Sequence, residues 1–284
     1  MLAVLASAVG YGSIPYFALA GYAGNLTPEI AVVARYGFPA LLLGWLLPRA
    51  LKTGTGGKQF LLTGALMGLG AWSFFKALSL LPVTLAVLLF FSYPLFSLVA
   101  RKLFDKKDIG KSGAMSAALV LLGIGLVWSG TSATQPLSLQ GLAYGFLGPA
   151  SYALVLHKMN QGADYLAPLQ VAACLFTGTM LVMLPLLLLS SATQVMPEGL
   201  NGWGALLGLM LLTGIIPQML MAYGAPIAGR VMSASAGGLE CVTALILGSL
   251  AAARWPSLLE WGAMAAIVAA LLLVSRLDKS YLDH

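Results

Sequence analysis

The sequence predicts an all-α integral membrane protein, with ten transmembrane helices arranged as two inverted repeats of five. Three observations predict this. Charged residues make up only 8% of the 284 positions and hydrophobic residues 60%. The charges fall between apolar stretches long enough to cross a bilayer. The basic ones alternate between opposite ends of successive stretches. A soluble domain carries about 25% charged residues, so 15 basic and 9 acidic side chains cannot cover a water-exposed surface of this size. The same shortage excludes a disordered chain, a disulfide scaffold and a secreted enzyme. The 33 glycines and 14 prolines suit helices that pack closely and are locally broken.

Each span needs roughly 20 mainly apolar residues. Span 1 is expected near 2–22. It is not a signal peptide, because it lacks a basic start and stays apolar through Tyr16 to Ala20. A short cytoplasmic tail is expected ahead of it. Spans 2 to 4 follow near 29–47, 59–80 and 83–101. Residues 112–156 contain no Asp, Glu, Lys or Arg, too long a stretch for one span. Ser129 to Pro136 divides it with small polar residues and a proline, the composition of a turn. That places span 5 near 112–128 and span 6 near 139–157. Spans 7 to 10 follow near 166–189, 203–223, 229–251 and 259–276.

Orientation follows from Lys and Arg. Arg49, Lys52 and Lys58 follow span 2, and Arg101, Lys102, Lys106, Lys107 and Lys111 follow span 4. Lys158, Arg230, Arg276 and Lys279 fall on the same side, and only Arg254 lies in a loop on the other. The positive-inside rule puts both termini in the cytoplasm. These loops are a topology signal, and no nucleic-acid partner is expected. Cys174 and Cys241 fall within spans without metal-ligand spacing and read as small packing residues.

Ten spans divide into residues 1–133 and 134–284. Leu26-Thr27-Pro28 corresponds to Leu166-Ala167-Pro168, and Gly113-Ala114-Met115 to Gly262-Ala263-Met264. Between these pairs, 76–101 lies on 223–248 at an offset of 147. Five spans per half force the second half upside down. The basic loops accordingly follow the second and fourth spans of the first half, but the first and third of the second half. Such repeats belong to secondary transporters, with the site at the midplane where they meet.

The segment Ala77-Leu78-Ser79-Leu80-Leu81-Pro82-Val83 through Ser92-Tyr93-Pro94-Leu95-Phe96 resembles the third-to-fourth helix signature of the EamA type, in the drug/metabolite transporter superfamily. Leu239-Glu240-Cys241-Val242 is similar to the family's Leu-Glu-Pro-Val, and Gly113 to Gly125 to its fifth helix. Cys241 stands where the family has proline, and the Gly-Glu-Arg-Leu-like turn after that helix is absent from both halves. The resemblance implies ten helices, an inverted five-plus-five repeat and export of small metabolites. The Tyr-Pro in span 4 and the aromatic content look most like bacterial aromatic amino acid exporters, multi-pass proteins of the cytoplasmic (inner) membrane.

Three ionisable residues lie within spans. Arg35 and Lys76 are close enough to helix ends to snorkel; each is otherwise a site residue. Snorkelling is the reading for Arg35, whereas Lys76 offers a partner for a substrate carboxylate. Glu240 is about ten residues from either end of span 9, about 15 Å from water, too far for its side chain to reach. Ser233, Gly237, Glu240 and Thr243 share one helical face. Trp72, Phe75, Lys76 and Ser79 cluster on span 3, Ser7 and Tyr11 lie below Pro15 on span 1, and Tyr144, Gly148, Ser151 and Tyr152 surround Pro149 on span 6. The expected substrate-binding set is Tyr11, Trp72, Phe75, Lys76, Ser79, Tyr93, Tyr152, Ser233, Gly237 and Glu240, in a cavity lined by spans 1, 3, 4, 6, 8 and 9.

The expected function is export of small metabolites, amino acids with aromatic or other apolar side chains, by alternating access in a monomer without cofactor. Export of drug-like molecules or organic cations is the alternative. No P-loop is present, so the chain is not expected to hydrolyse ATP. His157 and His284 have no matching acid cluster, which speaks against an intramembrane enzyme. A structural membrane subunit is the remaining alternative.

Overall fold

The computed structural model describes residues 1–52, 55–106, 108–132, 138–160, 166–190 and 197–280. It omits the side chains of 55, 131, 132, 160, 222, 225, 226, 229–235 and 274–280. Ser233 and Arg230 are thus placed only as helix backbone, and His284 and the second half of the turn expected at 129–136 lie outside the described residues. Among the described residues, eight helical stretches are long and apolar enough to cross a membrane. Two shorter apolar stretches, Ala236–Ala251 and Leu258–Leu273, complete the path of a multi-pass membrane protein.

The first crossing is broken. α1 (Leu2–Gly12) and α2 (Ile14–Ala23) meet at Ser13, whose hydroxyl donates to the Gly10 carbonyl at 2.6 Å. Pro15 then withholds an N–H from the ladder. The fourth crossing repeats this device. Between α6 (Val83–Phe90) and α7 (Tyr93–Phe104), the Ser92 hydroxyl donates to the Leu89 carbonyl at 2.6 Å and Pro94 follows. Ser-x-Pro marks both breaks, as the expected break at Pro15 anticipated. Pro149, in contrast, sits inside an uninterrupted helix.

The second crossing is α3 (Pro28–Leu43), a 3₁₀ turn and α4 (Leu47–Lys52). Thr27 caps α3 by accepting the Ile30 N–H. α5 (Thr55–Leu80), α8 (Gly110–Ser132), α9 (Leu139–Asn160) and α10 (Pro168–Leu189) are single long helices. α5 and α10 cross at backbone distance. A Cβ added at Gly178 would collide with the Leu61 carbonyl, and one at Gly64 with that of Leu175. The Thr179 hydroxyl then reaches the Gly64 carbonyl at 2.9 Å, as small residues permit in membrane bundles.

The eighth crossing begins with α11 (Gly199–Leu207) and passes through a π-helix at Gly208–Ile215. It continues into α12 (Ile216–Ala251), a helix of 36 residues. α12 cannot be straight. A Cβ at Gly10 would lie 2.5 Å from Pro217, and one at Gly12 would lie 2.6 Å from Thr243. A straight helix would hold Pro217 and Thr243 about 39 Å apart, yet two adjacent points of α1 touch both. Gly224 meets Val4, and Ala236 clusters with Val4 and Ala8. The helix therefore turns back between Gly224 and Ala236, forming two antiparallel arms that clasp α1. α13 (Leu258–Ser280) packs on α8, with the Ser116 hydroxyl on the Ala270 carbonyl at 3.1 Å.

Candidate functional site

Where the two broken crossings face each other, the bundle holds a cavity of about 410 Å³. Its upper wall comes from the breaks themselves: Tyr11, Ile14 and Pro15 on one side, Phe90, Phe91 and Tyr93 on the other. A proline-interrupted helix exposes backbone that is tolerated in a membrane only beside such a cavity. One end of the molecule carries Lys52, Lys102 and Lys158, and it is called the basic end here. The cavity runs towards that end between Val155, Leu156 and Met159 of α9 and Met221 of α12. Towards the far end it stops at Phe74, Phe90 and Ala244, six or seven residues short of the far ends of their helices, about 9–11 Å.

The ionisable wall is made by Arg35 and Glu240. Arg35 is 9% exposed, and its Nε donates to the Thr213 carbonyl at 3.2 Å. The guanidinium carbon stands 4.9 Å from the Tyr36 ring centroid and 5.8 Å from that of Tyr11, both cation–π distances. Among the described residues, the two terminal nitrogens make no hydrogen bond and are not sealed from the cavity. Glu240 is half-buried and, among the described residues, has neither a hydrogen bond nor an ion pair. Arg35 is the opposite charge it feels across the cavity. Tyr11 donates to the Gln218 Oε1 at 2.6 Å, tying α1 to α12 beside them. Opposite stands an aromatic wall, with Tyr152 edge-on to Tyr93 at 5.0 Å and tilted against Phe90 at 5.5 Å.

Of the ten residues expected to meet a substrate, Tyr11, Tyr93, Tyr152, Gly237 and Glu240 come together here. The four from span 3 do not. The cavity face of α5 is Met67, Gly70, Ala71 and Phe74. Trp72, Phe75, Lys76 and Ser79 lie on other faces. Lys76 pairs with Glu29 at 2.7 Å, and the Trp72 indole donates to the same carboxylate at 2.9 Å. Phe75 is wholly buried in the packing core, and Ser79 is exposed, bonded to the Lys76 carbonyl. The polar residues of α5 are satisfied near the far end by Glu29 of α3 and by backbone, and the face left for the cavity is Met67, Gly70, Ala71 and Phe74. Arg35 does the reverse of snorkelling, because the Thr213 carbonyl and two tyrosine rings hold it inward. The wall also draws on the second and seventh crossings, through Arg35, Tyr36, Leu175 and Phe176.

The far end is closed by polar ties. Besides Glu29–Lys76–Trp72, Trp72 packs edge-on against Tyr144 at 5.3 Å, and the Tyr22 hydroxyl donates to the Phe75 carbonyl at 2.8 Å. Arg254 holds Glu260 through both terminal nitrogens, at 2.8 and 2.7 Å, and reaches the Thr84 hydroxyl. Hydrogen bonding to Glu260 raises the Arg254 pKa further above its ordinary value, so this cation is permanent. Asn25 donates to Glu198 at 2.7 Å, and the Glu198 N–H to the Gly24 carbonyl at 3.0 Å.

Residues 1–129 match the family model described as the EamA-like transporter family. No curated protein matches the chain. Fifteen solved chains resemble it. One, described only as "Crystal structure of protein", is 17% identical with a TM-score of 0.55 and covers 97% of this chain and 98% of its own. That likeness is one of fold, and it runs through both halves.

Proposed function

We propose that this chain, whose residues 1–129 are of the EamA-like transporter family, is a secondary transporter exporting amino acids with aromatic or other apolar side chains. The observation that carries this reading is the Glu240 carboxylate. Among the described residues it stands without a bonded partner, in a mid-bundle cavity that also holds Arg35 and has an aromatic wall of Phe90, Tyr93 and Tyr152. A desolvated carboxylate opposite aromatic faces suits an ammonium group attached to an apolar body. Glu240 alone also suits an organic cation, the alternative substrate class. The cavity lies within one chain, so a monomer suffices. No residue set in it suggests bond-making chemistry, and the chain acts as a transporter rather than an enzyme.

The ten-crossing, inverted-repeat reading draws support from the backbone. Lys106 and Ala253, 147 residues apart, both adopt φ of 54°, a left-handed conformation rare for residues with a Cβ. They occupy the loops after the fourth and ninth crossings, at opposite ends of the bundle. The close approach of Gly70 to Ser151 has its counterpart in that of Gly10 to Pro217. The repeat units are residues 1–133 and 134–284. The positive-inside rule places the basic end in the cytoplasm of a bacterial inner membrane, with both termini there. The cavity then faces the cytoplasm, the loading side of an exporter working by alternating access.

The test is transport of radiolabelled L-phenylalanine by purified protein in liposomes, with and without a pH gradient. Glu240→Gln is expected to cut the rate at least tenfold in both conditions. Unchanged transport by Glu240→Gln in both would remove Glu240 from the mechanism.

A further inference from the structure

We infer that Arg35 is the specificity-determining anchor for a carboxylate, so that the cavity selects substrates carrying an anionic head. The inference deepens the transporter reading and rests on it for the identity of the site. Its geometry stands apart. Arg35 is nine-tenths buried and lines the cavity; among the described residues it spends only its Nε on the protein, leaving the terminal nitrogens without hydrogen bonds. Those two nitrogens form the flat fork that matches the two oxygens of a carboxylate. A buried guanidinium without an anion is costly, and among the described residues nothing in direct contact neutralises it. Glu240 lines the same cavity and, among the described residues, forms no ion pair with it.

The fork is aimed by its surroundings. The Thr213 carbonyl that holds Nε belongs to the π-helix at Gly208–Ile215, a widened turn of the kind that marks functional sites. Tyr36 and Tyr11 flank the guanidinium. Gly214 allows α3 to approach this turn, since a Cβ there would lie 2.6 Å from the Arg35 carbonyl oxygen. Thr213 and Gly214 are thus positioning residues, and Arg35 makes the contact. With Glu240 opposite, a zwitterion is held with its carboxylate on α3 and its ammonium on α12. An organic cation meets a fixed like charge at one end.

The test uses the full chain in nanodiscs and four probes of one shape: L-phenylalanine, phenylalanine amide, phenethylamine and 3-phenylpropionate. Phenylglyoxal, an arginine reagent, is expected to modify Arg35, as read by mass spectrometry. The two carboxylates should slow this modification at least fivefold, and the amide and amine should not. In binding measurements, Arg35→Met should weaken the carboxylates at least tenfold and strengthen phenethylamine, which no longer meets a like charge. A variant that merely misfolds would weaken all four equally, and Gly214→Ala, which only shifts the fork, should weaken carboxylates alone by a smaller factor. Protection by 3-phenylpropionate without binding of phenylalanine would keep Arg35 as an anion anchor and overturn the amino acid reading. No protection by either carboxylate, or equal protection by the amine, would overturn the inference itself.

Discussion

The two ends of this molecule are held together by different chemistry. At the far end, charged and polar side chains bridge neighbouring crossings: Glu29 takes both Lys76 and Trp72, Arg254 takes Glu260, and Glu198 takes Asn25. Towards the basic end, crossings are joined by bare backbone, as where Gly64 and Gly178 let α5 and α10 touch. The cavity there is lined by Met159, Met221 and Leu156, side chains without directional bonds. The ion pair found there among the described residues, Asp105 with His157, is loose at 3.8 Å. Hydrogen-bonded ion pairs have a defined bonded state and a defined broken state, whereas flexible thioethers slide past one another at little cost. The far end is therefore built as a discrete closure and the basic end as a compliant mouth.

The largest expected effect is on the backbone seam. Gly178→Leu would drive a side chain into the Leu61 carbonyl, and no monodisperse protein should be recovered by size-exclusion chromatography. Recovery of folded protein would show that α5 and α10 are not a fixed pair. Next comes the closure. Gly237 has space for a side chain, with the Tyr93 hydroxyl 3.6 Å from its Cβ position, so Gly237→Cys makes a reporter inside the cavity. A membrane-impermeant thiol reagent should reach it only from the basic end. Adding Glu29→Gln should raise its rate from the far end about tenfold. An unchanged rate would mean that this tie does not close the cavity.

A smaller effect is expected at Arg254–Glu260. Glu260 is buried but Arg254 is 38% exposed, so solvent screening discounts the pair. Glu260→Gln should cost about 1–2 kcal/mol, a shift of a few degrees in Tm by scanning fluorimetry in detergent. The smallest concerns Ser79, which bonds only to its own helix turn. Ser79→Ala should change stability by under about 0.5 kcal/mol and leave transport unaltered. A clear transport defect would return the outer part of α5 to the substrate path.

The paths of the crossings were legible because charge scarcity leaves few places for loops. The predicted break between residues 223 and 229 overlaps the segment between Gly224 and Ala236 in which α12 turns back. Glu240 was legible for a similar reason, since distance along a helix axis is countable. Direction around the axis was not. Trp72, Lys76 and Ser79 make the conspicuous polar face of α5, but Glu29 lies 43 residues from Trp72 and no spacing rule links them. Arg35 escaped for the converse reason. Its six-residue distance from the helix start allows snorkelling, and only the Thr213 carbonyl, 178 residues away, decides against it.

That separation has a consequence for biogenesis. The second crossing enters the membrane carrying an arginine near its outer end, which at first can only snorkel towards water. Its carbonyl partner does not yet exist. At about 5–20 residues per second, the ribosome needs on the order of 10–35 s to synthesise the intervening 178 residues. Until then the nascent chain holds the cation without that partner. Assembly of the bundle must wait for its eighth crossing, and truncation before residue 213 should strand the earlier ones as a substrate for quality-control proteases.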